Sequence, residues 1–471
     1  MNVARWFHVA RWFQTRIARA ALAAAGGSTL GGCSFYHAQP LSDAAVAAAL
    51  QPASVQSIRV AVEKYSHPLL KPLSIDGRDG FTPDEIALMT VVASPRLRAT
   101  RDQRGIVQAQ VIQAGLLPNP QLGYTLDQQY GNADPALING ESLGLSWDIS
   151  ALLAYRDRRN SAKATAAALD LDLAWQEWQA AQAARLSAYR VLSLTARLPL
   201  AREIETELAE ALALAKKGSA LGHKTTTDLV VAREAWSAAQ DARFAIEQEL
   251  AAQQLALRLG LGLAPDAPLT LKPSPLPSLP AGADQAGALL EGLEKRRLDL
   301  VALTLGYQSA DASLRAAIKA QFPHIGISFA RAHDTSDVHT RSFGATIDLP
   351  IFDRGQGQVA AGTATRQQLF DDYVARVAET RSEVSLILSN LAIARTQLAT
   401  LEAELPELVA QDAALDRAMK TRNADAQAVR DARAALLARR AEQAKMRQGV
   451  LELGVALEIA TGRPLLTVGA N

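Results

Sequence analysis

The chain has 471 residues, enough for several domains, and its 49 Lys and Arg against 48 Asp and Glu leave a net charge of +1, which excludes the electrostatic footprint of a nucleic-acid binder. Hydrophobic residues are 49% of the chain but aromatics only 5%, so the apolar content is mostly Ala and Leu and suits long, closely packed helices. The single cysteine, Cys33, excludes an intramolecular disulfide.

The N-terminus carries Arg5, Arg11, Arg16 and Arg19, then a short stretch of small apolar residues, Ala20 to Leu30. Leu30-Gly31-Gly32-Cys33 follows and resembles a bacterial lipobox, cut after Gly32 and lipidated on Cys33. Small residues give a peptidase access to the backbone, and the thiol accepts the lipid. An ordinary signal peptide with an incidental cysteine is the alternative. On the lipobox reading residues 1–32 are removed. Ser34 stands after the cysteine where Asp would signal inner-membrane retention, which favours the outer membrane. No run of 18 or more apolar residues follows the N-terminus, so no transmembrane helix is expected in the mature chain.

Residues 33–82 show no sustained periodicity and read as an extended arm lying outside the rest. Thr82-Pro83-Asp84-Glu85 then starts a helix: Thr82 can cap, proline suits the first position, and two carboxylates face the positive end of the dipole.

From here the chain repeats itself. Pro95-Arg96-Leu97 matches Leu298-Asp299-Leu300, and Pro120-Gln121-Leu122-Gly123 matches Pro323-His324-Ile325-Gly326, both at an offset of 203. Gly144, Asp148 and Gly262 match Gly344, Asp348 and Gly462 at an offset of 200, so the second unit is three residues shorter between the two sets, most economically in a hairpin tip. The repeats cover 83–263 and 286–463, joined by a Pro-rich linker over 264–285 and followed by a tail over 464–471. Each runs short helix, β-hairpin, very long helix, turn, medium helix.

The hairpins are predicted at about 120–150 and 323–350. In the first, Leu122, Tyr124 and Leu126, then Leu143, Leu145, Trp147 and Ile149, alternate with polar or small residues. In the second, Ile325, Ile327 and Phe329, then Phe343, Ile347 and Leu349, do the same. Period-two alternation gives strands with one apolar face, and each run approaches the ~9–11 residues that cross a bilayer when tilted. The apolar set is expected to face lipid, with Tyr124 and Trp147 as interface anchors or plain lipid-facing residues.

Arg158 to Lys217 contains no glycine and would make a helix of ~90 Å. The return helix from Thr227 to Leu261 would be ~50 Å and Pro95 to Leu117 ~35 Å, so the two short ones stack end to end beside the long one. Pro199 and Pro406 fall inside the long helices. Each should kink its helix or cost about 3 kcal/mol.

Two hairpins supply four strands, which cannot close, and an open edge in lipid leaves unpaired backbone groups at several kcal/mol each. Two copies give eight strands with a filled interior and three give twelve with a lumen. The alternate face of Gly, Ser, Thr, Gln and Asp suits a watery lumen.

The repeats, hairpins, long helices, lipobox and the Pro350-Ile351-Phe352-Asp353-Arg354-Gly355 turn together resemble the TolC-like outer-membrane efflux factors, especially the lipoproteins among them. The resemblance covers residues 81–463 most clearly. It implies a mainly α protein with a small β part. It further implies a homotrimer sharing a twelve-stranded barrel continued by an α-helical barrel in the periplasm, docked to a periplasmic adaptor and an inner-membrane pump of the resistance–nodulation–division type. It also implies acids at the turns joining the long and return helices, where rings of carboxylates close the tunnel. Gly222, Asp228 and Ala232 fit that pattern in the first turn, whereas in the second Ala428 replaces the first acid and Asp431-Ala432 fits the end. Asp228, Asp425 and Asp431 are the candidate gate residues; Lys and Arg mixed among them leave the charge sign open.

The sequence has no phosphate loop, zinc-ligand spacing or nucleophile–base constellation, so neither an enzyme nor a cofactor beyond lipid on Cys33 is expected. His333, Asp334, Asp337 and His339 cluster in the second hairpin loop, and a hydrated loop is preferred to a metal site there. A protein-secretion duct and a periplasmic coiled-coil tether are the alternative functions; alternating strands count against the tether.

Overall fold

The computed structural model describes residues 36–49, 51, 55–128, 130, 138–280, 282 and 285–467. The leader and lipobox, with Gly32 and Cys33, lie outside the described residues. The chain divides into two compact units, Met1–Gln51 and Pro52–Asn471. The first contains a short helix, α1 (Asp43–Ala49).

The second opens with α2 (Val55–Glu63) and a 3₁₀ turn at Gly77–Asp79, so the segment expected to be extended is partly helical. Ile58, Val62 and Ile75 explain the difference: they are buried against Ile86 and Leu88 and against Ala184, Ala188, Leu257 and Leu261 of later helices. Helix α3 (Pro83–Ala93) starts as the sequence predicts, with Thr82 and Glu85 capping each other reciprocally.

The first repeat continues with α4 (Pro95–Ala114), β1 (Gln121–Asp127), β2 (Gly140–Asp148), α5 (Ala151–Ala220) and α6 (Thr226–Gly260). After the linker come two short helices, α7 (Ala286–Leu290) and α8 (Leu293–Arg296). The second repeat follows as α9 (Leu298–Lys319), β3 (Ile325–His333), β4 (His339–Ile347), α10 (Gln356–Lys420) and α11 (Ala426–Thr461). Helix α5 has 70 residues and α10 has 65, about 105 and 98 Å at ~1.5 Å per residue. Helix α5 starts at Ala151 rather than Arg158 because Ala151-Leu152-Leu153-Ala154 contains nothing to break it. Both long helices continue through their prolines.

The short helices stack end to end as predicted, and glycines at equivalent positions make the joint. Gly262 and Gly462 close α6 and α11 in the left-handed conformation, at φ 67° and 65°. A side chain on Gly262 would meet Pro95 at 2.9 Å, and one on Gly462 would meet Arg297 at 3.2 Å. Each return helix therefore ends against the first residues of its own repeat's short helix.

Helix α5 lies at the centre, packed by α4 and α6 of its own repeat and by α9 and α11 of the other. Helix α10 is more exposed: Phe370, Val374, Leu386 and Ile393 face outward. It also carries an 18-residue window of mean hydropathy 1.3, only 22% buried. Polar residues interrupt this window, so it contains no unbroken apolar run of 18 residues.

Helices α2 and α3 and the linker form a belt packed against α5. The linker is tied down rather than loose. Phe81 and Leu271 form a parallel bridge and Ser278 and Thr467 an antiparallel one. Buried charge accompanies the apolar core. Arg185 contacts Asp84 at 2.8 Å and Glu458 at 2.9 Å, while Glu458 Oε1 accepts from Leu465 N at 2.6 Å and Leu466 N at 2.7 Å. Arg101 and Tyr65 converge on Glu177. Arg297 pairs with Asp299 at 2.7 Å and lies over Trp175 at 4.8 Å.

Candidate functional site

The strands form a four-stranded antiparallel sheet in the order β1-β2-β3-β4. Its register sorts the alternating residues into two faces. One face carries the row Leu122–Leu145–Phe329–Phe343 and, nearer the helices, Trp147–Ile327–Ala345. Ile325 and Ile347 complete it below, and Ile149 extends the ladder by donating its backbone N–H to Ile325 O at 3.0 Å. Leu349 lies two residues past the end of β4 and is exposed. Toward the tips the face changes character, through Tyr124–Leu143–Arg331–Arg341 to Leu126–Glu141–His333–His339. Leu122, Tyr124, Leu143, Leu145, Phe329 and Phe343 are all at least half exposed, or within 1% of it. Trp147 is half-buried, with its indole N–H donating to Pro118 O at 2.8 Å.

The opposite face is small and polar, with rows Gln121–Ser146–Ser328–Gly344 and Gly123–Gly144–Ala330–Ser342. A side chain on Gly344 would meet Ser328 Oγ at 2.7 Å. Strands β1 and β4 are the edges, and among the described residues each has one side unpaired.

At the far end, the turns joining α5 to α6 and α10 to α11 share one construction. His223 N donates to Gly218 O at 2.8 Å, and at an offset of 200 Asn423 N donates to Ala418 O at 2.8 Å. The left-handed residue is Gly222 (φ 74°) in one turn and Arg422 (φ 61°) in the other.

The three candidate acids occupy this tip in different ways. Asp228 closes a capping box: its Oδ2 accepts from Thr225 N at 2.8 Å, and its own N–H donates to Thr225 Oγ1 at 3.2 Å. Those bonds to Thr225, and Lys224 nearby, hold its carboxyl below the ordinary value. Asp425 caps α11 through Gln427 N at 3.2 Å and pairs with Lys224 at 3.4 Å. Asp431 has its carboxyl raised by loss of solvent, with Asp425 adding to the rise and Lys224 opposing it. Lys224 is thus the residue that all three acids share. Sequence reading singled out the acids and missed the lysine's place among them.

Behind the tip, Arg430 pairs with Glu207 at 2.7 Å and Glu210 at 2.6 Å, clamping α11 to α5. Arg433 reaches Asp412 and Asp416 of α10 at 3.6 Å.

The sequence pattern of the outer membrane efflux protein family matches residues 289–463. No curated protein sequence matches the chain. Solved structures do. CusC is 19% identical with a TM-score of 0.64, over 85% of this chain and 99% of that one. The outer membrane protein VceC from Vibrio cholerae is 16% identical with a TM-score of 0.64, over 81% and 96%. The Campylobacter jejuni CmeC outer membrane channel is 14% identical with a TM-score of 0.64, over 93% and 95%. The chain therefore has the fold of the TolC-like outer-membrane efflux channels, and its second repeat carries the sequence pattern of the outer membrane efflux protein family.

Proposed function

We propose that the chain is one subunit of a homotrimeric outer-membrane exit duct for a tripartite efflux pump. The observation that carries this reading is the sheet: apolar on one face, small and polar on the other, and unpaired along both edges. In lipid such edges must be paired. Two copies would give eight strands, a barrel filled by its own side chains, whereas three give twelve and a lumen. Leu122, Leu145, Phe329 and their row-mates then face lipid, and the Gly, Ser and Thr rows line water. The outward apolar face of α10 is covered by a neighbouring subunit in the helical barrel.

On this reading the duct does no chemistry, and its work is to open. The leader is removed after Gly32, Cys33 is lipidated, and the helices extend into the periplasm. Their tips meet a periplasmic adaptor and an inner-membrane pump of the resistance–nodulation–division type.

The test is the purified mature protein in detergent. Three chains by native mass measurement and steps of ion conductance in planar bilayers are expected. A water-soluble monomer without conductance overturns the proposal. Deleting the gene together with its neighbouring pump, followed by a panel of drugs and metal salts, identifies the exported class.

A further inference from the structure

The tip of the second hairpin brings together groups that a channel wall does not require. Five residues, Asp334 to Val338, join β3 to β4. Asp334 N donates to Val338 O at 3.1 Å, and Asp334 Oδ1 accepts from Ser336 N and Val338 N at 2.9 Å each. The pair Asp334/Val338 is therefore hydrogen-bonded, which puts the next pair, His333/His339, at a non-hydrogen-bonded position where side chains approach closest. Their imidazoles lie face to face, with centroids 4.3 Å apart and planes 15° apart. Asp337 stands in the left-handed conformation, at φ 66°. Glycine is the default there in a three-residue hairpin loop. The aspartate instead places Oδ1 2.6 Å from His333 Nε2.

We propose that His333, Asp337 and His339 form a binding site for a divalent first-row transition metal ion. One ligand atom from each lies within 4.8 Å of the others. Tetrahedral Zn²⁺ with bonds of ~2.0–2.1 Å spaces its ligands ~3.3 Å apart. Short rotations of the exposed Asp337 and His339 side chains about the half-buried His333 cover that difference. Two nitrogens and one carboxylate select Zn²⁺, Ni²⁺ or Cu²⁺ over Mg²⁺ and Ca²⁺, with Cu²⁺ bound most tightly. At least one coordination position stays open to water or to Glu141, which is paired in register with His333 on β2. Among the described residues, Asp334 in the loop and Arg331 and Arg341 one row below are charged groups near the site. The site is complete within one chain. On the trimeric reading it recurs three times at the outer mouth, where a bound ion clips each hairpin.

The experiment titrates Zn²⁺ and, for its visible spectrum, Co²⁺ into the untagged full-length protein stripped with chelator. One ion per chain and a Co²⁺ absorption band are expected. The double variant His333→Ala/His339→Ala should lose both signals while keeping the wild-type sheet signal in circular dichroism. Asp337→Gly suits the backbone at φ 66° and should keep or strengthen the turn, yet weaken binding at least tenfold. Absence of binding by the wild type, or unchanged binding in the double variant, overturns the site. So does unchanged affinity in Asp337→Gly. Metal titration reads out with or without conductance, so this proposal and the duct reading can fail separately.

Discussion

Lys224 at the end of the first repeat's turn is bonded to Asp425 at the start of the second repeat's return helix, Nζ to Oδ2 at 3.4 Å. This contact joins the two turns at the tip, and it sets one cation among Asp228, Asp425 and Asp431. On the proposed trimeric duct reading, closure at this end would be a balance between the shared lysine and the acids around it, repeated in each subunit.

Removing the lysine should tip that balance. Lys224→Ala leaves three neighbouring acids unopposed in each subunit, and repulsion should widen the tip. Larger single-channel conductance in planar bilayers is the expected result. Thermal stability should change little, because exposed ion pairs contribute ~0–1 kcal/mol. Asp425→Asn keeps a capping side chain while removing the charge. It should also raise conductance, and equal conductance in both variants and the wild type rejects a clasp at this position.

Asp431 gives the tip a signed pH dependence. Its folded-state carboxyl is raised above the ordinary value of 3.8, chiefly by loss of solvent. Between that value and the raised one the folded state binds more protons than the unfolded chain, so stability falls as pH rises through the window. Asp431→Asn removes the contribution. The wild type should therefore lose stability relative to the variant as pH climbs out of the acidic range, and a flat difference in melting temperature counts against the assignment.

Arg422 stands at φ 61° where its equivalent, Gly222, stands at φ 74°. A left-handed residue with a side chain costs roughly 1–2 kcal/mol. Arg422→Gly should stabilise the protein by about 1 kcal/mol and Gly222→Ala should destabilise it comparably, both read by chemical denaturation. A less stable Arg422→Gly would show that the guanidinium makes a contact worth more than the strain.

The two faces of the sheet should respond differently to charge. Leu145→Arg, in the middle of the apolar face, should cost ~2–4 kcal/mol and reduce the trimer recovered from membranes. Ser146→Arg, on the opposite face, should insert normally and lower conductance. Equal behaviour of the two variants would mean that the faces are misassigned.

The buried pair in the belt offers a stability test away from the channel. Glu458 is fully buried against Arg185 and two backbone N–H groups. Glu458→Ala should cost about 3–5 kcal/mol, because it strands a buried cation and two donors. Denaturant unfolding checks this, and a loss below about 1 kcal/mol would mean that Asp84 and water compensate.

The hairpins and long helices were legible because their signals are local. Alternation over five to eight residues marked β1 to β4, whose tip ends at Gly140–Ser142, Ala330–His333 and His339–Ser342 it did not reach, and the repeat offset placed Gly262 and Gly462 at the same structural joint. The belt was not legible. Arg185 and Glu458 are 273 residues apart, and Phe81 pairs with a linker residue 190 positions on. Nothing local announces such pairings. Ile58, Val62 and Ile75 sit in a weakly periodic segment that gains its structure by packing on helices formed much later in the chain. At the tip, the family resemblance pointed to the acids, but only the shared turn geometry puts Lys224 between them.

The free sides of β1 and β4 bear on biogenesis. On the proposed trimeric reading, a newly exported copy would hold most of its helices in contacts of its own, while its greasy ribbon would have no partner until others arrive. Membrane insertion must then wait on encounters between copies, so the insertion rate should climb more steeply than linearly with export flux. At low flux the waiting species is a half-finished subunit that folds its rod first and its wall last.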